Sequence, residues 1–150
     1  MYTGLLHLHS SLRYVVLILL VVAGIKALIA WRKNKAFKPG DRKLYLFTMI
    51  AVHIQLLIGL VLYFVSPIVD KAYEDFGAAM KNPTLRFWAV EHFTVMLLAI
   101  ILITIGHSSS KKQTNETAKH KQIAIFYLIG LVLILISIPW PFSSVARPWF

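Results

Sequence analysis

The chain has 150 residues, of which 58% are hydrophobic and only 15% are charged. This composition excludes an ordinary soluble domain, because a domain of this size cannot bury so much apolar surface, and it favours a membrane protein. The absence of cysteine excludes disulfides, iron–sulfur clusters, thiolate copper sites and c-type haem attachment. The net charge of +10 does not indicate nucleic-acid binding, because no aromatic-interleaved basic surface or known binding module accompanies the lysines.

Four apolar stretches are long enough to cross a bilayer, at about residues 5–31, 44–66, 85–107 and 122–140. A bilayer accepts only helices or closed barrels, and continuous apolar runs of this length favour helices. We therefore predict an all-α, four-helix transmembrane bundle that forms a single integral membrane domain over residues 1–150. The first stretch is interpreted as a span and not as a secretory signal, because its apolar core is too long and its basic residues mostly follow it.

The loops between the stretches differ in charge and in the residues that can cap the adjoining helices. Residues 31–43 contain six basic side chains and one acidic one, residues 107–122 contain four and one, and residues 67–86 contain three of each. Since Lys and Arg concentrate in cytoplasmic loops, both termini and the middle loop are predicted to be periplasmic in a bacterial inner membrane. Asp41 and Asn82 are predicted to cap the second and third helices, and residues 69–80 are predicted to form either a short amphipathic helix or an irregular segment.

Polar side chains inside the spans are the candidate functional residues, because burying such groups in a membrane is costly. They comprise His7, His9, Arg13, His53, Gln55, Glu91 and His92. Two further histidines, His107 and His120, are predicted to lie at or beyond the cytoplasmic boundary with a structural or merely solvated role, and His107 is expected at the surface.

Helix geometry relates some of these residues to one another. His9 and Arg13 are four residues apart and share one face of the first helix. Arg13 and Glu91 fall at nearly one depth, which predicts an ion pair. Measured from the predicted helix ends, His53 and His92 differ in depth by about 9 Å, and His9 and His92 by about 11 Å in the other direction.

Isolated histidines on apolar helix faces indicate a b-type haem, held by two imidazoles from facing helices in the core of the bundle. Arg13 is suited to neutralise a haem propionate. Two alternatives remain open: the histidines hydrogen-bond neighbouring helices as polar glue, or they form a proton relay with Glu91 and Arg13. Zinc or copper is less favoured, because the ligands spread over too much depth and no Cys or Met cluster accompanies them.

The segments "LLHLHSSLRYVVL", "FTMIAVHIQLLIGLVLYFVSP", "LRFWAVEHFTVMLLAIILITIGHS" and "IAIFYLIGLVLILISIPWPF" cover nearly the whole chain. Together they resemble small four-helix membrane proteins of Gram-negative bacteria that are labelled cytochrome b or uncharacterised and are distantly similar to bis-histidine b-type membrane cytochromes. The resemblance implies His9, His53 and His92 as haem ligands, with Arg13, Gln55 and Glu91 around them. The chain departs from larger b-type cytochromes because no helix has a clear pair of buried histidines for two stacked haems.

The sequence thus predicts an inner-membrane b-type cytochrome-like protein that carries haem between its helices for quinol-linked electron transfer. Its expected partners are the lipid bilayer, quinone and subunits of a larger respiratory or other membrane complex. An electron-transfer role is favoured over catalysis, since no hydrolytic or group-transfer site is visible. The alternative is a cofactor-free accessory subunit that packs against a larger membrane complex. A small transporter is the weakest alternative, because four helices without an inverted repeat are not typical of that class.

Overall fold

The computed structural model describes residues 2–145, in which every regular element is helical. In chain order the elements are α1 (Tyr2–Arg32), α2 (Pro39–Phe64), α3 (Pro67–Glu74), α4 (Phe76–Lys81), α5 (Pro83–Arg86), a π-helical turn (Phe87–Glu91), α6 (His92–Lys112) and α7 (Glu116–Ser137). The π-helical turn joins α5 to α6, so that residues 83–112 form one long helix. Four helices, residues 2–32, 39–64, 83–112 and 116–137, are long and apolar enough to cross a membrane, and the predicted all-α class is confirmed.

The helix ends differ from the predicted ones on the side of the basic loops. The third spanning helix continues to Lys112, five residues beyond its predicted end at 107, and α7 begins at Glu116 and not at 122. The polar residues between them are helical because Asn115 caps α7 by accepting a hydrogen bond from the Ala118 N–H. The connection is therefore three residues long.

The predicted caps are partly correct. Asn82 accepts hydrogen bonds from the backbone N–H groups of the following turn, and Pro83 occupies the first helical position, as predicted. Helix α2 begins earlier than predicted, at Pro39, so Asp41 is not its N-cap. Asp41 lies in the first turn, where its carboxylate accepts from the Lys38 N–H at 2.9 Å. The amphipathic segment predicted around residues 69–80 is present as α3 and α4.

The four long helices form a ring in which α1 packs against α2 and α7, and α6 packs against α7 and α2. Helices α1 and α6 therefore lie at opposite corners of the bundle. The α6–α7 contact is the most extensive one, and glycines allow it: a Cβ on Gly106 would lie 2.4 Å from the Cβ of Phe126, and one on Gly130 would lie 2.6 Å from Ile103 Cγ1. Large aliphatic side chains cover the outside of the bundle, as a surface that faces lipid requires.

Candidate functional site

An elongated cavity opens between α1, α2 and α6 in the half of the bundle away from the basic loops, and the end of α7 with residues 138–139 completes its lining. On α1 its lining extends from Tyr2 to Val16, which is about 21 Å of helix. Its enclosed volume is about 140 Å³, and its empty space including the open mouth is about 1180 Å³. The enclosed part matches a cavity of about 150 Å³ that holds one aromatic ring, so a larger flat ligand must extend into the open part.

The cavity wall is mainly aliphatic and aromatic, with a few polar side chains. Four of the predicted site residues line it, namely His9, Arg13, Gln55 and His92. Among the described residues that line the cavity, Arg13 carries the one formal positive charge and no residue is acidic. An apolar cavity of this kind favours a largely apolar ligand that carries an anionic group.

His9 lies directly against the backbone of α2. A Cβ on Gly59 would lie 3.1 Å from His9 Cε1 and 3.6 Å from His9 Nδ1, so only glycine leaves this imidazole an unstrained place. One turn from Gly59, Gln55 Nε2 donates a hydrogen bond of 2.9 Å to the His9 carbonyl. Because the amide nitrogen donates this bond, the other amide atom, Oε1, is a hydrogen-bond acceptor. Gln55 Oε1 is buried without a hydrogen-bond partner in the described part of the chain. The histidine is thus positioned by a glycine and a glutamine of the neighbouring helix.

His92 is oriented from the opposite corner of the bundle. Its Nδ1 donates a hydrogen bond of 2.8 Å to the carbonyl of Ser137, at the end of α7. Because Nδ1 holds the proton, Nε2 is the unprotonated nitrogen of the neutral imidazole, which is the form that binds metals. Two aromatic rings pack beside it, with the centroids of Phe87 and Trp88 at 5.7 and 5.6 Å.

Contacts with α2 allow the depths of His9 and His92 in the bundle to be compared. The Tyr63 hydroxyl donates to the Ala89 carbonyl at 2.7 Å, which places these two residues at similar depth. His92 follows Ala89 by three residues, and Gly59, which His9 contacts, precedes Tyr63 by four. By this count His9 and His92 lie at similar depths, and both lie within the extent of the cavity lining. The separation of 11 Å predicted from the sequence is wrong, chiefly because α6 ends at Lys112 and His92 therefore lies farther from that end.

His53 lies elsewhere, outside the cavity lining. Its Nδ1 donates to the Met49 carbonyl at 2.8 Å, and its Nε2 is 3.3 Å from Thr104 Oγ1 on α6. It precedes Gly59 by six residues, which places it about 9 Å deeper than His9. His53 therefore contacts α6 at Thr104, whose hydroxyl donates its proton to the Ile100 carbonyl at 2.7 Å.

Glu91 also lies outside the cavity lining, and its side chain is 45% exposed. It forms an ion pair with Arg86 in the same helix, with 2.6 Å between Nε and Oε1. The predicted ion pair between Glu91 and Arg13 is therefore wrong. The Arg13 guanidinium donates to the Tyr14 hydroxyl at 2.9 Å and lies over its ring.

A second polar cluster lies at the end of the bundle near the basic loops. His120 is fully buried, and its Nδ1 accepts a hydrogen bond of 3.0 Å from the Tyr45 hydroxyl. On its other side, His120 Nε2 is 3.4 Å from the Ala36 carbonyl and 4.0 Å from the carboxylate of Asp41. Asp41 in turn pairs with Lys26 at 2.8 Å. These contacts tie α7 to α1, to α2 and to the loop between them.

His107 belongs to the same cluster. It is 5% exposed, and its Nδ1 is 3.4 Å from the hydroxyl of Tyr127, which itself donates to the Tyr45 carbonyl at 2.7 Å. Both histidines are therefore buried and have a structural role, which is one of the two roles predicted for them, and the expected surface position of His107 is wrong. The sequence carried a usable signal for one of them, because His120 and the buried Tyr127 are seven residues apart and lie on one helix face.

No site for an ordinary metal ion is present within residues 2–145, where no group of three or more His or acidic side chains has a suitable arrangement. Haem iron requires fewer protein ligands, since two imidazoles complete its coordination. Comparison of the chain with protein-family models, curated proteins and solved structures gives no match.

Proposed function

We propose that the cavity binds a b-type haem and that His9 and His92 would hold its iron. The observation that carries the proposal is that these two histidines line one apolar cavity from opposite corners of the bundle and at nearly the same depth. A bis-histidine haem in a four-helix bundle requires this arrangement. His53, which lies deeper and is engaged by Met49 and Thr104, is not included in the proposed ligand pair.

The surrounding residues are suited to the same ligand. Ser137 holds the His92 ring through Nδ1, which makes Nε2 the metal-binding nitrogen, and Gly59 gives the His9 ring its place. Arg13 supplies positive charge for a propionate in a lining without acidic residues. Haem would supply reversible one-electron chemistry at this position, while the aliphatic wall excludes water and thereby influences the reduction potential.

We further propose that the protein transfers electrons, linked to quinol, in a bacterial inner membrane, with both termini and residues 67–86 on the periplasmic side. The cavity then lies toward the periplasmic side and the cluster around His120 toward the cytoplasm. The charge difference between the loops supports this orientation.

The test is an absorption spectrum of detergent-purified full-length protein after haem loading, with and without dithionite. We expect the sharp reduced bands of low-spin haem in the wild type, and their loss or conversion to high-spin features in His9→Ala and in His92→Ala. His53→Ala is the matched control, because it removes a partly buried membrane histidine outside the cavity, and it should keep the wild-type spectrum.

Two results would overturn the proposal. One is a folded wild-type protein that takes up no haem, which would favour the cofactor-free accessory subunit. The other is a spectrum that depends on His53 and not on His92. Circular dichroism of each variant shows that any lost spectrum is not a result of lost helical structure.

A further inference from the structure

The backbone immediately before His92 departs from α-helical geometry. In the π-helical turn Phe87–Glu91, the N–H of His92 donates to the carbonyl of Phe87, five residues earlier. A π-helical turn holds more residues than an α-helical one, is rare, and often occurs at functional sites. Such a turn changes the direction in which His92 points relative to the residues before it.

An ion pair bridges this turn on its solvent side. Arg86 and Glu91 are five residues apart, and their side chains meet at 2.6 Å. On an α-helix the side chains that face each other are three or four residues apart. The spacing of this pair therefore matches the π-helical turn, and the pair supports it. The Arg86 guanidinium also donates to the Met80 carbonyl at 3.0 Å, which connects the turn to α4.

Tyr63 of α2 holds the turn from the bundle side. Its hydroxyl donates to the carbonyl of Ala89, inside the turn, at 2.7 Å. Since a π-helical turn shifts the backbone hydrogen bonds, a carbonyl within it gains from a side-chain donor. A hydroxyl has one proton, so in the 2.9 Å contact between Tyr63 and Tyr73 the donor is Tyr73. The Tyr63 ring packs on Phe93, directly after His92, with 4.8 Å between centroids.

We propose that Tyr63 is a positioning residue: its hydrogen bond to Ala89 holds the π-helical turn, and the turn directs the His92 imidazole into the cavity. The inference rests on the proposed function, because haem is the ligand for which His92 would be oriented. Tyr63 also lines the cavity, but its hydroxyl proton is donated to the Ala89 carbonyl, so it acts on His92 through the backbone.

The test compares Tyr63→Phe with Tyr73→Phe in full-length protein. The first variant removes the bond to Ala89 and keeps the ring on Phe93, and the second removes only the partner of Tyr63 on α3. We expect Tyr63→Phe to lower haem affinity by roughly threefold to thirtyfold, as for a lost hydrogen bond, and to shift the ferric electron paramagnetic resonance signal, which reports imidazole orientation. Tyr73→Phe should leave both unchanged. Equal affinity and spectra in Tyr63→Phe and wild type would overturn the inference.

A second measurement separates this inference from the proposed function. If the wild type binds no haem, the proposed function fails, and backbone hydrogen exchange at residues 87–92 in nanodiscs still tests the turn. Exchange there should be several-fold faster in Tyr63→Phe than in wild type or Tyr73→Phe, with α7 unchanged, and equal rates would contradict the role of Tyr63. Should Tyr63→Phe not fold, Glu91→Gln, which alters an exposed side chain, must accelerate the same amides or the inference fails.

Discussion

Gly59→Ala is expected to weaken haem binding without weakening the fold. The new methyl carbon would lie 3.1 Å from His9 Cε1, where ordinary contacts are 3.4–4 Å, so the imidazole must move by a few tenths of an ångström. In the apo protein the His9 ring can tilt into the cavity, whereas bound iron would hold it in place, so the overpacking cost of about 1–3 kcal/mol falls mainly on haem binding and we expect its lower end. A loss of about 1.4 kcal/mol corresponds to tenfold weaker binding. Replacing glycine by alanine within a helix otherwise adds about 0.5–1 kcal/mol of stability.

The assay is a haem titration of the purified protein followed in the Soret band, together with thermal unfolding of the apo protein. Gly4→Ala is the matched control, because it lies on the same helix as His9 and its new Cβ would have no neighbour within 4 Å. Both variants should unfold at or above the wild-type temperature, whereas only Gly59→Ala should bind haem less tightly. Wild-type haem affinity in Gly59→Ala, or equal losses in the two variants, would refute the placement of His9 against α2.

Three further substitutions test the fold, each followed by reversible unfolding in mixed micelles. Gly106→Ala should cost about 1–3 kcal/mol, because its Cβ would lie 2.4 Å from the Cβ of Phe126, an atom that no side-chain rotation can move away; an unchanged stability would contradict the close α6–α7 contact. Tyr45→Phe should cost about 1–3 kcal/mol, since it leaves a buried nitrogen of His120 without its donor, and a neutral result would mean that the pair is not formed. Asn82→Ala should cost about 1 kcal/mol and raise hydrogen exchange mainly in the turn it caps, so a change spread over all helices would argue against local capping.

The number and approximate position of the spanning helices could be predicted because each depends on a local property, a run of about 20 apolar residues. The ends of the helices near the basic loops could not be predicted in this way. Outside the bilayer a polar residue can be helical or irregular, and there the choice depends on caps such as Asn115 that composition does not reveal. An error of five residues at one helix end then moved the predicted depth of His92 by about 8 Å.

The residue types of the candidate site could be predicted from the sequence, but which two histidines share the cavity could not. His9, Arg13, Gln55 and His92 reach one cavity, but nothing local distinguishes His92, whose ring meets the cavity, from His53, which binds Met49 and Thr104. That difference arises from the ring order of the helices, a property of the whole bundle. The π-helical turn was equally hidden, because no single residue type specifies it.

The two ends of the bundle are packed in opposite ways, and this difference explains where the cavity lies. Near the basic loops, Gly24 and Gly106 let α7 approach α1 and α6 closely, and the contacts of His120 fasten α7 to its neighbours. At the other end α1, α2 and α6 separate around the cavity, and polar contacts such as that of His92 with Ser137 hold α6 to α7 there. The contacts of His107 and His120 therefore stabilise the closed end of the fold, whereas His9 and His92 line the cavity at the open end.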